Sequence, residues 1–220
     1  MSENTVTMST MLAVDLHRIL SNGILFASSD ETLPMINSVQ LRFGLESVVA
    51  ASTDRFTMGF SKARCDGPEM TFMVSSKDVA TVVKTAKTLR RDEKTRYVSV
   101  QLDGDHVSFI FFSGETITVK ILDAQFPAVD RIMPDIDDIA CGPTAFTPAY
   151  LGKFCKVLGT ARNDVLNIAC GPEKIAKITL GTDFVGLICA VRTGEQTLAD
   201  RFDHSWITPA APSVQLAETA

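Results

Sequence analysis

Apolar positions along this chain repeat one arrangement three times: a short amphipathic helix, then alternating strands. The first unit opens near Val6. Asp15 is a candidate N-cap for a helix carrying Leu16, Ile19 and Leu20, and Asn22-Gly23 reads as its stop. Val39, Leu41 and Phe43 then alternate with polar residues, and residues 47–51 run on as a strand after Gly44. The second unit opens with the β-like run 70–74. Ser75 and Asp78 have the spacing of a capping box, ahead of an apolar stripe of Val79, Val82, Val83, Ala86 and Leu89. Residues 97–102 and 107–111 alternate on either side of Asp103-Gly104-Asp105, a hairpin signal. Ser113-Gly114 turns the chain again into Ile117, Val119 and Ile121.

The third unit opens near Ile139. Thr147-Pro148 is a helix start, because proline at the first helical position removes no helical hydrogen bond. Leu151, Phe154, Cys155 and Leu158 form the expected buried stripe, ended by Gly159. Strands are expected at 165–169, 175–180 and 184–191, the last two joined by Gly181-Thr182-Asp183. Between the second and third units, Phe126-Pro127 through Asp138 is Pro-bounded and acidic and reads as a linker. After Arg192 the arrangement stops. Residues 193–220 form a tail with a weak helical stretch (Leu198, Phe202, Trp206) and an Ala/Pro/Ser end expected to be disordered.

The chain has 220 residues, 45% hydrophobic and 21% charged, enough apolar mass for a buried core. Its net charge of -5 argues at first against nucleic acid, which attracts cations. The distribution changes that reading. On a helical wheel Lys77, Lys84, Lys87 and Arg91 lie opposite the second helix's apolar stripe, with Arg90 on the apolar side. Lys153 and Lys156 lie away from the third helix's stripe, Arg162 follows it, and the first helix offers Arg18. Any solvated helix face carries such residues. The shortage of acids beside them is what points to phosphate: Asp78 is the only acid in 76–91 and there is none in 148–162, whereas aspartates crowd the hairpins and linker. A basic face of this kind attracts a phosphate backbone without reading its sequence.

Catalytic signatures are missing: no G-x-G-x-x-G, Walker loop, G-x-S-x-G or H-E-x-x-H occurs. The acidic pairs Asp92-Glu93 and Asp137-Asp138 read as solvated turn residues. The five cysteines are widely spaced with no C-x-x-C, and read as buried reduced thiols. His17, His106 and His204 lack metal-ligand spacing. No enzyme activity, metal or cofactor is expected. No apolar run approaches the roughly 20 residues of a membrane span, and the N-terminus lacks a signal peptide's positive flank, so a cytoplasmic protein is expected.

Three segments, in order, resemble the bacterial DNA polymerase III beta subunit family. Residues 51–58, Ala-Ser-Thr-Asp-Arg-Phe-Thr-Met, resemble its A-T-D-x-x-R-L segment; residues 123–134, from Asp123 through Phe126-Pro127 to Pro134, resemble D-G-x-F-P-D-Y-x-x-x-x-P. Pro148-Ala149-Tyr150-Leu151 followed by residues 187–192 is similar to the N-x-x-Y-L helix and closing V-x-M-P-M-R strand. The sequence departs from the family where Arg55-Phe56-Thr57 replaces G-H-R and Ala190 replaces Pro. It is also short: residues 9–134 look like one full clamp domain and 139–192 like half of another.

The resemblance implies an α+β DNA-clamp fold, with repeated helix-plus-antiparallel-strand units, helices lining a central channel and sheets outside. The expected division is a complete clamp domain at 1–134, half a domain at 135–192 and the tail at 193–220. The implied function is that of a sliding clamp, a processivity factor that encircles duplex DNA; the alternative is a clamp-like adaptor that does not encircle it. The implied partners are double-stranded DNA, bound without sequence preference, a DNA polymerase and a clamp loader. DNA contact falls to Arg18, Lys77, Lys84, Lys87, Arg90, Arg91, Lys153, Lys156 and Arg162. A partner-peptide pocket carries over to Thr53, Phe56, Met58, Pro127, Arg131, Ile132, Leu187, Cys189, Val191 and Arg192. Since clamp rings of the family hold twelve units, four chains of three units are the expected homo-oligomer, phage or cellular in origin.

Overall fold

Strict alternation makes β2 (Ser38–Phe43), where Val39, Leu41 and Phe43 are buried and Arg42 faces solvent. The computed structural model describes residues 6–89, 97–128, 144–162, 164–171 and 175–192. In its first unit β1 (Thr7–Leu12) leads into α1 (Ala13–Phe26), followed by β2, β3 (Ser47–Thr53) and β4 (Thr57–Arg64). The second unit repeats this order with β5 (Met70–Ser75), α2 (Ser76–Leu89), β6 (Tyr97–Asp103), β7 (His106–Phe111) and β8 (Thr116–Lys120). The third contributes α3 (Pro148–Phe154), β9 (Leu166–Ala169), β10 (Ala176–Leu180) and β11 (Phe184–Ile188).

The first two units exchange their opening strands. β1 pairs antiparallel with β6, and β5 with β2, giving one sheet of order β1-β6-β7-β8 and the run β5-β2-β3-β4 in the other. Beneath them α1 and α2 pack together, and one core takes in Leu16, Ile19 and Leu20 of α1 with Val79, Val82 and Ala86 of α2. The capping box at the head of α2 forms as expected. The Asp78 N–H donates to Ser75 Oγ (3.1 Å), whose hydroxyl donates to Asp78 Oδ2 (2.7 Å).

The third unit joins this pair edge to edge. β11 adds to β4, so the second sheet runs β5-β2-β3-β4-β11-β10-β9. Gly59 and Gly186 are directly opposed at the junction, and Phe26, Phe154 and Phe184 cluster there with ring centroids 4.9 to 6.3 Å apart. A Cβ on Gly59 would strike the Phe26 ring, and one on Gly186 the Phe154 ring. Asn22 fastens the same joint: its amide donates to the Leu158 carbonyl (3.0 Å) and accepts from the Leu158 N–H (2.7 Å).

Several expectations are corrected. α1 does not stop at Asn22-Gly23 but runs to Phe26. Gly23 is there because α1 lies against Val39 too closely for a side chain, and its carbonyl accepts from Ser52 Oγ (2.6 Å). Asp15 sits in the first turn rather than capping, with Leu12 at the N-cap. α3 ends at Phe154; Cys155 and Leu158 are exposed rather than buried, since the chain turns away after one buried ring. β4 was not anticipated; Gly59 interrupts its apolar signal. Most of the linker, Cys141 and the tail lie outside the described residues.

Candidate partner-binding cleft and basic surface

The β3–β4 turn organises the joint with the third unit. Arg55 sits there at φ 81°, a left-handed conformation that costs a non-glycine residue about 1 kcal/mol or more. Asp54 holds it in place: one carboxylate oxygen accepts from the Phe56 N–H (3.0 Å), the Thr57 N–H (2.6 Å) and the Thr57 hydroxyl (2.8 Å). Its other oxygen accepts from Lys153 Nζ of α3 at 2.6 Å. Burial works against charge on Asp54, but the hydrogen bonds from Lys153 and Thr57 outweigh it and hold the carboxyl below its ordinary range. Phe56 stacks on Tyr150 at 5.2 Å and 15°, and the Phe56 carbonyl accepts from the Cys189 N–H at 2.9 Å.

Two hollows flank this turn. On one side is a shallow apolar cleft of about 30 Å³, lined by Thr53, Phe56, Met58, Leu187 and Cys189 together with Arg55, Thr57 and Ile175. Met58 and Leu187 are opposed across the β4–β11 ladder and form its floor, only 5% and 3% exposed; Phe56, 50% exposed, forms its rim. Burial, then the nearby Asp54 charge, push the Cys189 thiol up, so it lines the cleft as a neutral group. On the other side is a cavity of about 550 Å³ whose walls include Leu33, Ile36, Phe56, Tyr150 and the Asp54–Lys153 pair.

The structure thus gathers five of the residues expected in a peptide pocket from segments more than a hundred positions apart. Pro127 is half-buried and follows Phe126, which packs with Met58 and Leu187 beneath the cleft. Val191 and Arg192 are exposed and are not among the cleft's lining residues; Val191 pairs with Ala145 instead. Arg131 and Ile132 lie outside the described residues. Sequence reasoning passed over Arg55, Thr57 and Ile175, and the whole larger cavity. Nothing in the alternation of 33–36 or 150–153 signals that these segments meet.

The basic residues divide by environment. Lys77, Lys84 and Lys87 are exposed on α2, opposite Val79, Val82 and Ala86, and Lys156 and Arg162 are exposed after α3. Arg18 departs from the expected solvent-facing set. It is 7% exposed, and its guanidinium donates to Asp15 (3.1 Å) and to the Lys62 carbonyl (2.9 Å) because α1 lies under β4. Lys153 likewise spends its charge on Asp54. Arg90 and Arg91 lie outside the described residues. Among the described residues no three His, Cys, Asp or Glu side chains gather as a metal ion requires, and no helix is long and apolar enough to cross a membrane.

Comparison with known proteins places this arrangement. The model of the DNA polymerase III beta subunit central domain matches residues 11–128. The fold is similar to that of the DNA polymerase III beta subunit of Thermotoga maritima (TM-score 0.69, 12% identity, covering 84% of this chain and 65% of that one). It is similar also to the sliding clamp of Bacillus subtilis (0.70, 17%, 87% and 65%). A third similar structure is the sliding clamp of Pseudomonas aeruginosa bound to griselimycin (0.72, 12%, 87% and 67%). The chain spans about two thirds of the length of these proteins, and at such identities the likeness establishes the DNA-clamp fold.

Proposed function

Because the chain belongs to the DNA polymerase III beta subunit family, we propose that it works as a sliding clamp: it tethers a replication polymerase to duplex DNA and holds that partner by an apolar peptide anchor. The observation that carries this reading is the convergence of Thr53, Phe56 and Met58 of the first unit with Leu187 and Cys189 of the third in one cleft. An apolar side chain set over Met58 and Leu187 meets a floor that is already dry, and Phe56 shields it from water. At about 30 Å³ the cleft holds no more than a methyl or two, so the anchor's remaining length lies along the rim or in the larger cavity across the turn.

Lys77, Lys84 and Lys87 form the DNA-facing surface in this reading, with Lys156 and Arg162 as outlying contributors. None contacts a base, so affinity comes from counterion release and is indifferent to sequence. The domain division at 134 and 192, helices facing a central channel, a ring of several copies, and a clamp loader that places it on DNA belong to the same proposal. Retention on circular duplex DNA, lost when the circle is linearised, tests it. Equal retention on both forms favours the adaptor that binds replication proteins without encircling DNA.

A further inference from the structure

Arg55 carries more than its backbone requires. It stands at φ 81°, a conformation that glycine adopts without strain. The turn uses only its main chain: the Arg55 N–H donates to Thr53 Oγ1 (3.2 Å), and the Arg55 carbonyl accepts from the Cys189 thiol at 3.9 Å. Glycine would serve both bonds. A side chain kept in a left-handed conformation points instead to a use for its far end.

That far end is an uncommitted cation between the two hollows. Arg55 and Phe56 are the residues that line both of them. In the small cleft Arg55 is the only charged residue among the described lining. In the larger cavity the other cation, Lys153, is bonded to Asp54 at 2.6 Å. Arg55 is exposed, and among the described residues its guanidinium makes no hydrogen bond or ion pair. Asp30, the other acid of that cavity, is taken by the Thr32 hydroxyl (2.6 Å) and N–H (3.0 Å). Those two bonds, with a smaller share from the Arg55 charge, hold the Asp30 carboxyl below its ordinary range. The guanidinium is thus within electrostatic reach of the larger cavity without closing a pair there.

A peptide whose anchor stands over Met58 and Leu187 must cross Arg55 and Phe56 to continue into the larger cavity. The Phe56 ring meets the apolar part of the crossing segment. A carboxylate there meets Arg55, whose guanidinium offers it parallel N–H donors. We infer that the cleft selects an extended peptide with an acidic side chain in the segment that crosses the turn, and that Arg55 is the residue that reads it. The acid is a side chain and not a terminal carboxylate, because Arg55 lies where the peptide passes between two hollows and not where it ends. This selectivity rests on the cleft being a peptide site and adds the partner's charge to it.

The test is calorimetry on the full chain with acetylated, amidated peptides that share a leucine–phenylalanine anchor. They differ in one residue, aspartate or asparagine, scanned through the positions beside the anchor. At one position aspartate is expected to bind about two- to fivefold tighter at low salt, the range of an ion pair open to solvent, with a margin that shrinks as salt rises. The aspartate-to-asparagine ratio is expected to fall to about one in Arg55→Gly, whose backbone is unstrained there, and to invert in Arg55→Glu. Lysine at the same peptide position should then bind Arg55→Glu best. Circular dichroism checks the fold of both variants. Equal affinity of the aspartate and asparagine peptides for the unaltered chain overturns the inference and leaves the apolar cleft standing, as does a ratio that survives Arg55→Gly. A gain seen only with a free C-terminal carboxylate overturns it too, and makes the site one for chain ends. Binding by none of the peptides sinks the cleft reading and this selectivity with it.

Discussion

Gly59 and Gly186 face each other across the β4–β11 ladder, and on that bare stretch of sheet rest the Phe26 and Phe154 rings. The pair sets how closely the first and third units approach. Gly59→Val is expected to destabilise the protein by about 1–3 kcal/mol, the cost of overpacking a filled core. Gly152→Ala is the matched control: an added Cβ there meets nothing within 4 Å, and alanine in α3 is expected to add about 0.5–1 kcal/mol. Urea unfolding of both variants gives the two signs; equal effects would mean that the aromatic cluster does not set the junction.

Asp54 makes stability depend on acid. The hydrogen bonds from Lys153 and Thr57 hold its carboxyl below the ordinary aspartate range, so its contribution is complete above the unfolded pKa and fades as pH falls through the lower folded value. Stability should therefore drop below about pH 4. Asp54→Asn should cost about 1–3 kcal/mol at neutral pH and flatten that part of the acid limb, because it removes the charged acceptor of Lys153 and Thr57. An acid limb of unchanged steepness in the variant would assign the loss to other carboxylates.

Phe56 and Met58 separate binding from folding. Phe56→Ala, at a half-exposed rim, is expected to lose about 2 kcal/mol of affinity for an apolar polymerase-tail peptide with little change in stability. Met58→Ala, in the buried floor, is expected to lose about 2–5 kcal/mol of stability as well. Calorimetry paired with thermal unfolding distinguishes them, and a Phe56→Ala variant with full affinity would falsify the assigned rim.

Lys84→Glu with Lys87→Glu should weaken retention on circular DNA and reduce its salt dependence by about one to two units of log–log slope. Arg18→Met and Lys153→Met should act on stability instead, because both cations are committed to Asp15 and Asp54 within the fold. Filter binding across a salt series measures the slope; the same slope in the Lys84/Lys87 double variant would exclude α2 as the DNA-facing surface.

Local signals carried the parts of the fold that are local. The Ser75–Asp78 box, the Asp103–Asp105 turn and the alternation of Val39, Leu41 and Phe43 each state their own structure within a few residues. The cleft was legible only through motif order, which set Thr53, Phe56 and Met58 beside Leu187 and Cys189. What stayed hidden depends on distant partners. Gly23 looked like a stop because nothing near it reveals that Val39 will press on it. Lys153 looked free because its acceptor, Asp54, is 99 positions away; Arg18 has Asp15 three residues before it, but its second acceptor, the Lys62 carbonyl, is 44 positions away and nothing local shows that α1 lies under β4. β4 hid behind Gly59, whose value lies in the ring it admits.

The β4–β11 ladder also decides how the two units it joins come apart. Five consecutive residue pairs, from Ser61–Phe184 to Thr57–Ile188, tie the first unit to the third, with the Asn22–Leu158 fastening near one end of the ladder and the Asp54–Lys153 fastening near the other. Separating the first unit from the third therefore means breaking the ladder and both fastenings together, so this joint is expected to give way in one cooperative step.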